Sequence, residues 1–104
     1  MSETGFEQQL CIEATHPALP GHFPGQPLVP GVMLLEQVAI ALRQWRGQRL
    51  ARVLEAKFMT PLLPNQQASL HLTSVDSATA STRIRFEIRW QGILLARGLI
   101  EGST

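Results

Sequence analysis

The chain has 104 residues, 44% of them hydrophobic and 16% charged, with nine Lys plus Arg against eight Asp plus Glu. That length admits one hydrophobic core and no second domain, so a single unit spanning 1–104 is expected, with only a few kcal/mol of net stability and a tendency to oligomerise. A net charge of +1 without a Lys- or Arg-rich tail excludes the strongly basic class that wraps nucleic acid, and the longest apolar run, 32–42, is far short of the ~20 residues that cross a bilayer. A lone cysteine, Cys11, excludes an internal disulfide, and the acidic, polar stretch from Met1 to Gln9 lacks the pattern of an export signal. The cytoplasm is the expected compartment.

In chain order, Phe6, Leu10, Ile12 and Ala14 fall on one side of an alternating pattern interrupted by Gln8, which predicts a first strand. Five of the seven prolines then lie between Pro17 and Pro30, interleaved with Gly21, Gly25 and Gly31. Proline fixes φ and removes an N–H donor, so residues 16–30 can be neither helix interior nor central strand and are predicted to form a rigid, positioning loop. Pro30-Gly31 opens the apolar run from Val32 to Leu42, which ends in Arg43, Gln44, Trp45, Arg46 and Gly47. Proline at the start, glycine just past the end and two arginines in the last turn predict a helix. It is apolar nearly all round, so burial is expected.

Downstream, Arg52, Leu54, Ala56 and Phe58 alternate with Val53, Glu55 and Lys57 in a strand closed by Pro61 and Pro64, and residues 67–75 carry a weaker one. Ile84, Phe86, Ile88 and Trp90 alternate unbroken with Arg83, Arg85, Glu87 and Arg89. Gln91-Gly92 turns that strand into Ile93 to Ile100 as an antiparallel hairpin. The predicted plan is α+β, an antiparallel sheet curled around one long helix.

Within the helix, Glu36 has Val32, Leu35 and Ile40 as neighbours at i−4, i−1 and i+4. A buried carboxyl must find a partner or stay protonated, and in an apolar setting it becomes a good proton donor. The competing reading places Glu36 on an exposed stripe with Gln37, Arg43 and Gln44, but the apolar neighbours favour burial. His22, in the proline-rich loop, titrates nearest neutrality and is the natural general base. His16 and His71 have no second feature to set them apart. Gly31, at the helix start, presents unsatisfied N–H groups at the positive end of the dipole, suited to a developing oxyanion. Base, acid and oxyanion site together suit removal of a proton next to a carbonyl with loss of a hydroxyl, a β-elimination.

The run Gly21-His22-Phe23-Pro24-Gly25-Gln26-Pro27-Leu28-Val29-Pro30-Gly31-Val32-Met33-Leu34-Leu35-Glu36 closely resembles the signature of bacterial 3-hydroxyacyl-(acyl carrier protein) dehydratases. Glu55-Ala56-Lys57-Phe58 with Pro61 and Pro64 extends the likeness to about half the chain. The resemblance implies a hotdog fold that works as a dimer, with His22 and Glu36 of one site on different chains. It implies that His22 takes the C2 proton of a (3R)-hydroxyacyl thioester, that Glu36 protonates the departing 3-hydroxyl, and that the Gly31 N–H, with Val32, holds the thioester oxygen. The product is a trans-2-enoyl thioester, and no metal or redox cofactor is implied. A cis peptide at His22-Phe23 is a further implication.

Relative to this family, the N-terminal helix and early strand are expected to be missing, Ile40 stands where Gln is usual, and the segment after the helix is abbreviated. Short stand-alone members of this kind resemble those that accompany polyene or other specialised lipid synthesis. Residues 43–57 hold Arg43, Arg46, Arg49, Arg52 and Lys57 against Glu55, a docking patch for an acidic acyl carrier protein or simply a solvated surface. Arg83, Arg85, Arg89 and Arg97 are equal candidates. Phe58 and Met59 either line the acyl channel or pack in the core. Two other functions compete, an acyl thioesterase on the same fold and a non-catalytic acyl-carrier-binding or assembly subunit.

Overall fold

The computed structural model describes residues 5–13, 29–75 and 82–104. In chain order they form β1 (Gly5–Leu10), α1 (Gly31–Arg46), β2 (Arg49–Phe58), β3 (Ala68–Ser74), β4 (Arg83–Trp90) and β5 (Ile93–Ser103). The strands make one antiparallel sheet in the order β1-β3-β4-β5-β2, the expected α+β plan of a five-stranded sheet with one helix. Of the proline-rich segment only Val29 and Pro30 are described; His16, His22 and the His22-Phe23 peptide bond lie outside the described residues.

Punctuation residues fall where the sequence placed them. Pro30, extended at φ −62° and ψ 146°, precedes the first helical residue, and Gly47 ends the helix in the left-handed region at φ 66°, donating its N–H to the Arg43 carbonyl at 2.8 Å. Gln91 and Gly92 both take positive φ, 50° and 81°, as a two-residue type I′ hairpin turn requires. At its C-terminal end α1 is tied to β1 by Phe6, whose ring stacks on Trp45 at 6.3 Å between centroids, with the Arg46 guanidinium 4.2 Å from the Trp45 ring.

The helix buries Met33, Leu34, Val38, Ala41 and Leu42, at the spacing of a single helical face. They share a core with Leu70 and Leu72 of β3, Ile84, Phe86 and Ile88 of β4, and Ile100 of β5. The expectation of a helix buried nearly all round is corrected here: Val32 is 71% and Ile40 45% exposed. One sheet covers one side of a cylinder, and no described element covers the other.

The first strand is shorter than its alternation suggested, ending at Leu10. Ile12 is nevertheless buried, and its carbonyl accepts the Asn65 N–H at 2.8 Å; Ala14 lies outside the described residues. Gln8 pairs in register with buried Leu70, and its Oε1 is buried with no hydrogen-bond partner among the described residues.

On β2, Leu50 pairs with Gly102, Val53 with Ile100, Ala56 with Gly98 and Phe58 with Ala96, with irregularities between Leu50 and Arg52 and between Val53 and Glu55. Directly opposed residues share a sheet face. Val53 therefore sides with Ala56 and Phe58, and Arg52 with Glu55 and Lys57, which corrects the grouping of Arg52 with Ala56 and Phe58. An extra residue in a bulged strand shifts the alternation by one, which no periodicity read from sequence contains. The outer face of the sheet carries ion pairs, Glu87 with Arg89 at 3.5 Å and Glu101 with Arg52 at 3.6 Å, and a polar contact of Glu7 with His71 at 3.2 Å. Being exposed, such pairs each stabilise by about 1 kcal/mol or less.

Gly98 lets strand β5 pass beneath the Phe86 ring: a Cβ there would collide with the Glu55 carbonyl oxygen and with the ring itself. Both obstacles are fixed, one by the sheet ladder and one by the core. Gly98→Ala is expected to lower unfolding free energy by about 1–3 kcal/mol, read from urea denaturation at matched protein concentration.

Candidate functional site

The site is built where the chain enters α1. Gly31 and Val32 are its first two residues, so their N–H groups have no acceptor within the helix, while the Met33 N–H reaches back to the Pro30 carbonyl at 3.0 Å. Pro30 makes no side-chain capping bond and the first turn holds no acidic residue, so neither the cap nor the first turn neutralises the positive end of the helix dipole.

Beside this start lies an apolar pocket of about 360 Å³, lined by Val29, Pro30, Gly31 and Leu34 on one side and by residues 58–62 on the other. The two walls are joined by the Val29 N–H, which donates to the Leu62 carbonyl at 2.9 Å. The second wall is fixed to the sheet, because the Met59 and Thr60 N–H groups both donate to the Leu95 carbonyl, at 2.8 and 3.2 Å. This volume is at the small end of the range for small-molecule sites, and the apolar walls suit a hydrocarbon group.

Phe58 and Met59, for which channel and core readings stood equal, are 46% and 40% exposed and line the pocket. Neither belongs to the buried core. Val29, Leu34, Thr60, Pro61 and Leu62 complete the walls, and none of them was read from sequence as a pocket residue; the two prolines after the strand were the available signal that this segment takes a fixed course.

Glu36 is exposed, which corrects the expectation of burial. It stands five residues after Gly31, about 140° around the helix and about 7.5 Å along it, and it is not among the pocket's lining residues. Its stripe neighbours Val32 and Ile40 are exposed, as are Arg43 and Gln44, so the solvent-stripe reading describes the single chain. The structure thus brings Gly31 to the pocket and leaves Glu36 on another face; His22 lies outside the described residues.

Among the arginines, Arg43 and Arg49 are exposed, Arg46 lies over Trp45, and Arg52 pairs with Glu101. Arg89 pairs with Glu87 on the sheet's outer face, where Glu87 also stands opposite Arg97.

The fold and the sequence coincide with a known protein family. A family model described as ApeI-like, ApeI dehydratase, matches residues 1–98, and the chain belongs to that family. The 3-hydroxyacyl-(acyl-carrier-protein) dehydratase FabZ of Haemophilus influenzae is 37% identical over 71 residues, covering 59% of this chain and 48% of that protein. FabZ of Methylobacterium radiotolerans is 32% identical over 101 residues, covering 86% of this chain and 64% of that protein. The chain therefore matches between about half and two-thirds of the length of these relatives. A chain of the dehydratase heterocomplex ApeI:P from Xenorhabdus doucetiae shares the fold, with a TM-score of 0.84 at 24% identity over 99% of this chain and 90% of that one.

A Cβ on Gly31 would meet the tip of the Phe58 ring at 3.1–3.3 Å. The obstacle is a half-exposed side chain that can yield, unlike the two that confront Gly98. Gly31→Ala is expected to move unfolding free energy by no more than about 1 kcal/mol, while the Phe58 ring resonances shift in a proton NMR spectrum.

Proposed function

We propose that the chain dehydrates (3R)-hydroxyacyl thioesters carried on acyl carrier protein to trans-2-enoyl thioesters. His22 removes the C2 proton, the N–H groups of Gly31 and Val32 hold the thioester oxygen as negative charge gathers there, and Glu36 protonates the 3-hydroxyl as it leaves as water. Each proton has a source and a destination, and no redox step is needed. The observation that carries this reading is the apolar pocket set against the uncapped start of α1, in a chain of the dehydratase family. Preorganised donors at a developing oxyanion are worth roughly a hundredfold or more each.

The position of Glu36 supports a site shared between two chains. It lies midway along an exposed apolar stripe, and β2 has no strand on its free side among the described residues while exposing Val53, Leu54 and Phe58. Apolar edge strands of this length are normally covered. A second copy, pairing along β2 and placing its own Glu36 at this chain's pocket, covers both features at once. The Xenorhabdus assembly is a heterocomplex, which makes a different subunit an alternative occupant of the same face.

Arg43, Arg46, Arg49 and Arg52, at the end of α1 and the start of β2, are proposed to receive the acidic carrier, in the cytoplasm and in polyene or other specialised lipid synthesis. No described helix is long and apolar enough to cross a membrane. Charge-guided docking predicts that KM for carrier-bound substrate rises with ionic strength, with kcat little changed; a salt-independent KM counts against the patch.

The deciding measurement follows enoyl-thioester absorbance with a short 3-hydroxyacyl or enoyl substrate on carrier protein. His22→Ala and Glu36→Gln are each expected to lose turnover by roughly a hundredfold or more. Mixing the two inactive variants under subunit exchange is expected to restore about a quarter of wild-type activity, since half the dimers then hold one intact site of two. No recovery would place both residues on one chain, and release of free thiol would indicate a thioesterase.

A further inference from the structure

Phe58 occupies a position that neither core packing nor sheet formation requires. It is the last residue of β2, paired with Ala96, and the two amides that follow it converge on the Leu95 carbonyl, so its backbone is held on both sides. Its ring is 46% exposed, and Cζ, Cε1 and Cε2 lie 3.1–3.3 Å from the point where a side chain on Gly31 would begin. An aromatic ring of which nearly half remains in solvent is seated tip-first against the one helical residue that offers no Cβ to meet it. The ring belongs to the pocket wall, between the helix start and the segment ending at buried Leu62.

We infer that Phe58 determines specificity for the length of the acyl chain: its ring, seated on Gly31, limits how much hydrocarbon the pocket accepts beyond the thioester. The inference rests on the dehydratase reading for the nature of the substrate, but the pocket boundary is a property of binding and can be read without turnover. Each methylene passing from water into the pocket tightens binding by roughly fourfold. Affinity for a homologous series therefore climbs with chain length and levels off where the wall is met. Removing the ring moves that wall outward, while the held backbone keeps the rest of the pocket in place.

The experiment titrates non-hydrolysable S-alkyl pantetheine thioethers of increasing chain length against wild type, Phe58→Ala and Phe58→Leu by calorimetry. With Phe58→Ala the plateau is expected to move by two or more methylenes, raising the ratio of long-chain to short-chain affinity by about fifteenfold or more, with Phe58→Leu between. Sedimentation of each variant accompanies the titration, because Phe58 also lies on the exposed edge strand. A proportional loss at every chain length, or a loss that follows only a weakened assembly, overturns the inference. Turnover is assayed separately on the same proteins. A shifted plateau in a chain that dehydrates nothing supports the role of Phe58 and refutes the dehydratase reading, whereas intact turnover with an unmoved plateau does the reverse.

Discussion

Packing of Met33, Leu34, Val38, Ala41 and Leu42 onto the inner face of β3, β4 and β5 holds this molecule together, and among the described residues the contact has only one side. Each fully buried Leu, Ile, Val or Met contributes roughly 1.5–3 kcal/mol, so the direction of that face fixes the helix in rotation as well as in place. With the face committed to the sheet, Gly31 is directed toward the segment after β2 and Val32, Glu36 and Ile40 are directed outward. The stacking of Phe6 on Trp45 secures the far end of the helix, which keeps its start in register with the Phe58–Leu62 wall. The pocket follows from the core.

The same one-sidedness leaves apolar surface that a small chain has little reason to expose. A chain of 104 residues buries only about two-thirds of its unfolded surface, yet here a helical stripe and both faces of most of β2 remain in solvent. Edge strands are ordinarily protected by charge, brevity or cover. Arg52, Glu55 and Lys57 supply charge on the outer face, but the inner-face residues Val53 and Phe58 have none. Stripe and edge are the surface that the proposed dimer would cover, and the bulges in β2 set which of its residues such a dimer would meet.

Much of the fold was legible because its signals are local. Pro30 and Gly47 bracket the helix, Gln91-Gly92 makes the hairpin, and the unbroken alternation of β4 reflects a central strand with one face in the core. Three features were not legible, each for a physical reason. The side of Val53 depended on bulges, which alternation cannot encode. Burial of Glu36 was inferred from its neighbours on the helix, but apolar neighbours show only that a surface seeks cover, and not whether the same chain supplies it. The pocket depended on a contact between Gly31 and Phe58, which are distant in sequence, and on the hydrogen bond from Val29 to Leu62. The motif residues were visible as types; their convergence was a matter of tertiary structure.

An exposed Glu36 also changes which equilibrium bears the cost of the apolar environment a proton donor needs. Taking a carboxylate out of water costs several kcal/mol when it is unpaired, a large fraction of the stability available to a small domain. In this chain the helix folds with Glu36 in solvent, so folding carries none of that cost. In the proposed dimer it falls on association instead, where Val32 and Ile40, exposed one turn on either side, lose water at the same step. Burying two aliphatic side chains per protomer yields a few kcal/mol, the same order as the desolvation it must offset. The apolar flanks of Glu36 then have a use that the isolated fold does not reveal: they couple formation of the acid's environment to assembly, so that the proposed site is completed only when the second chain arrives.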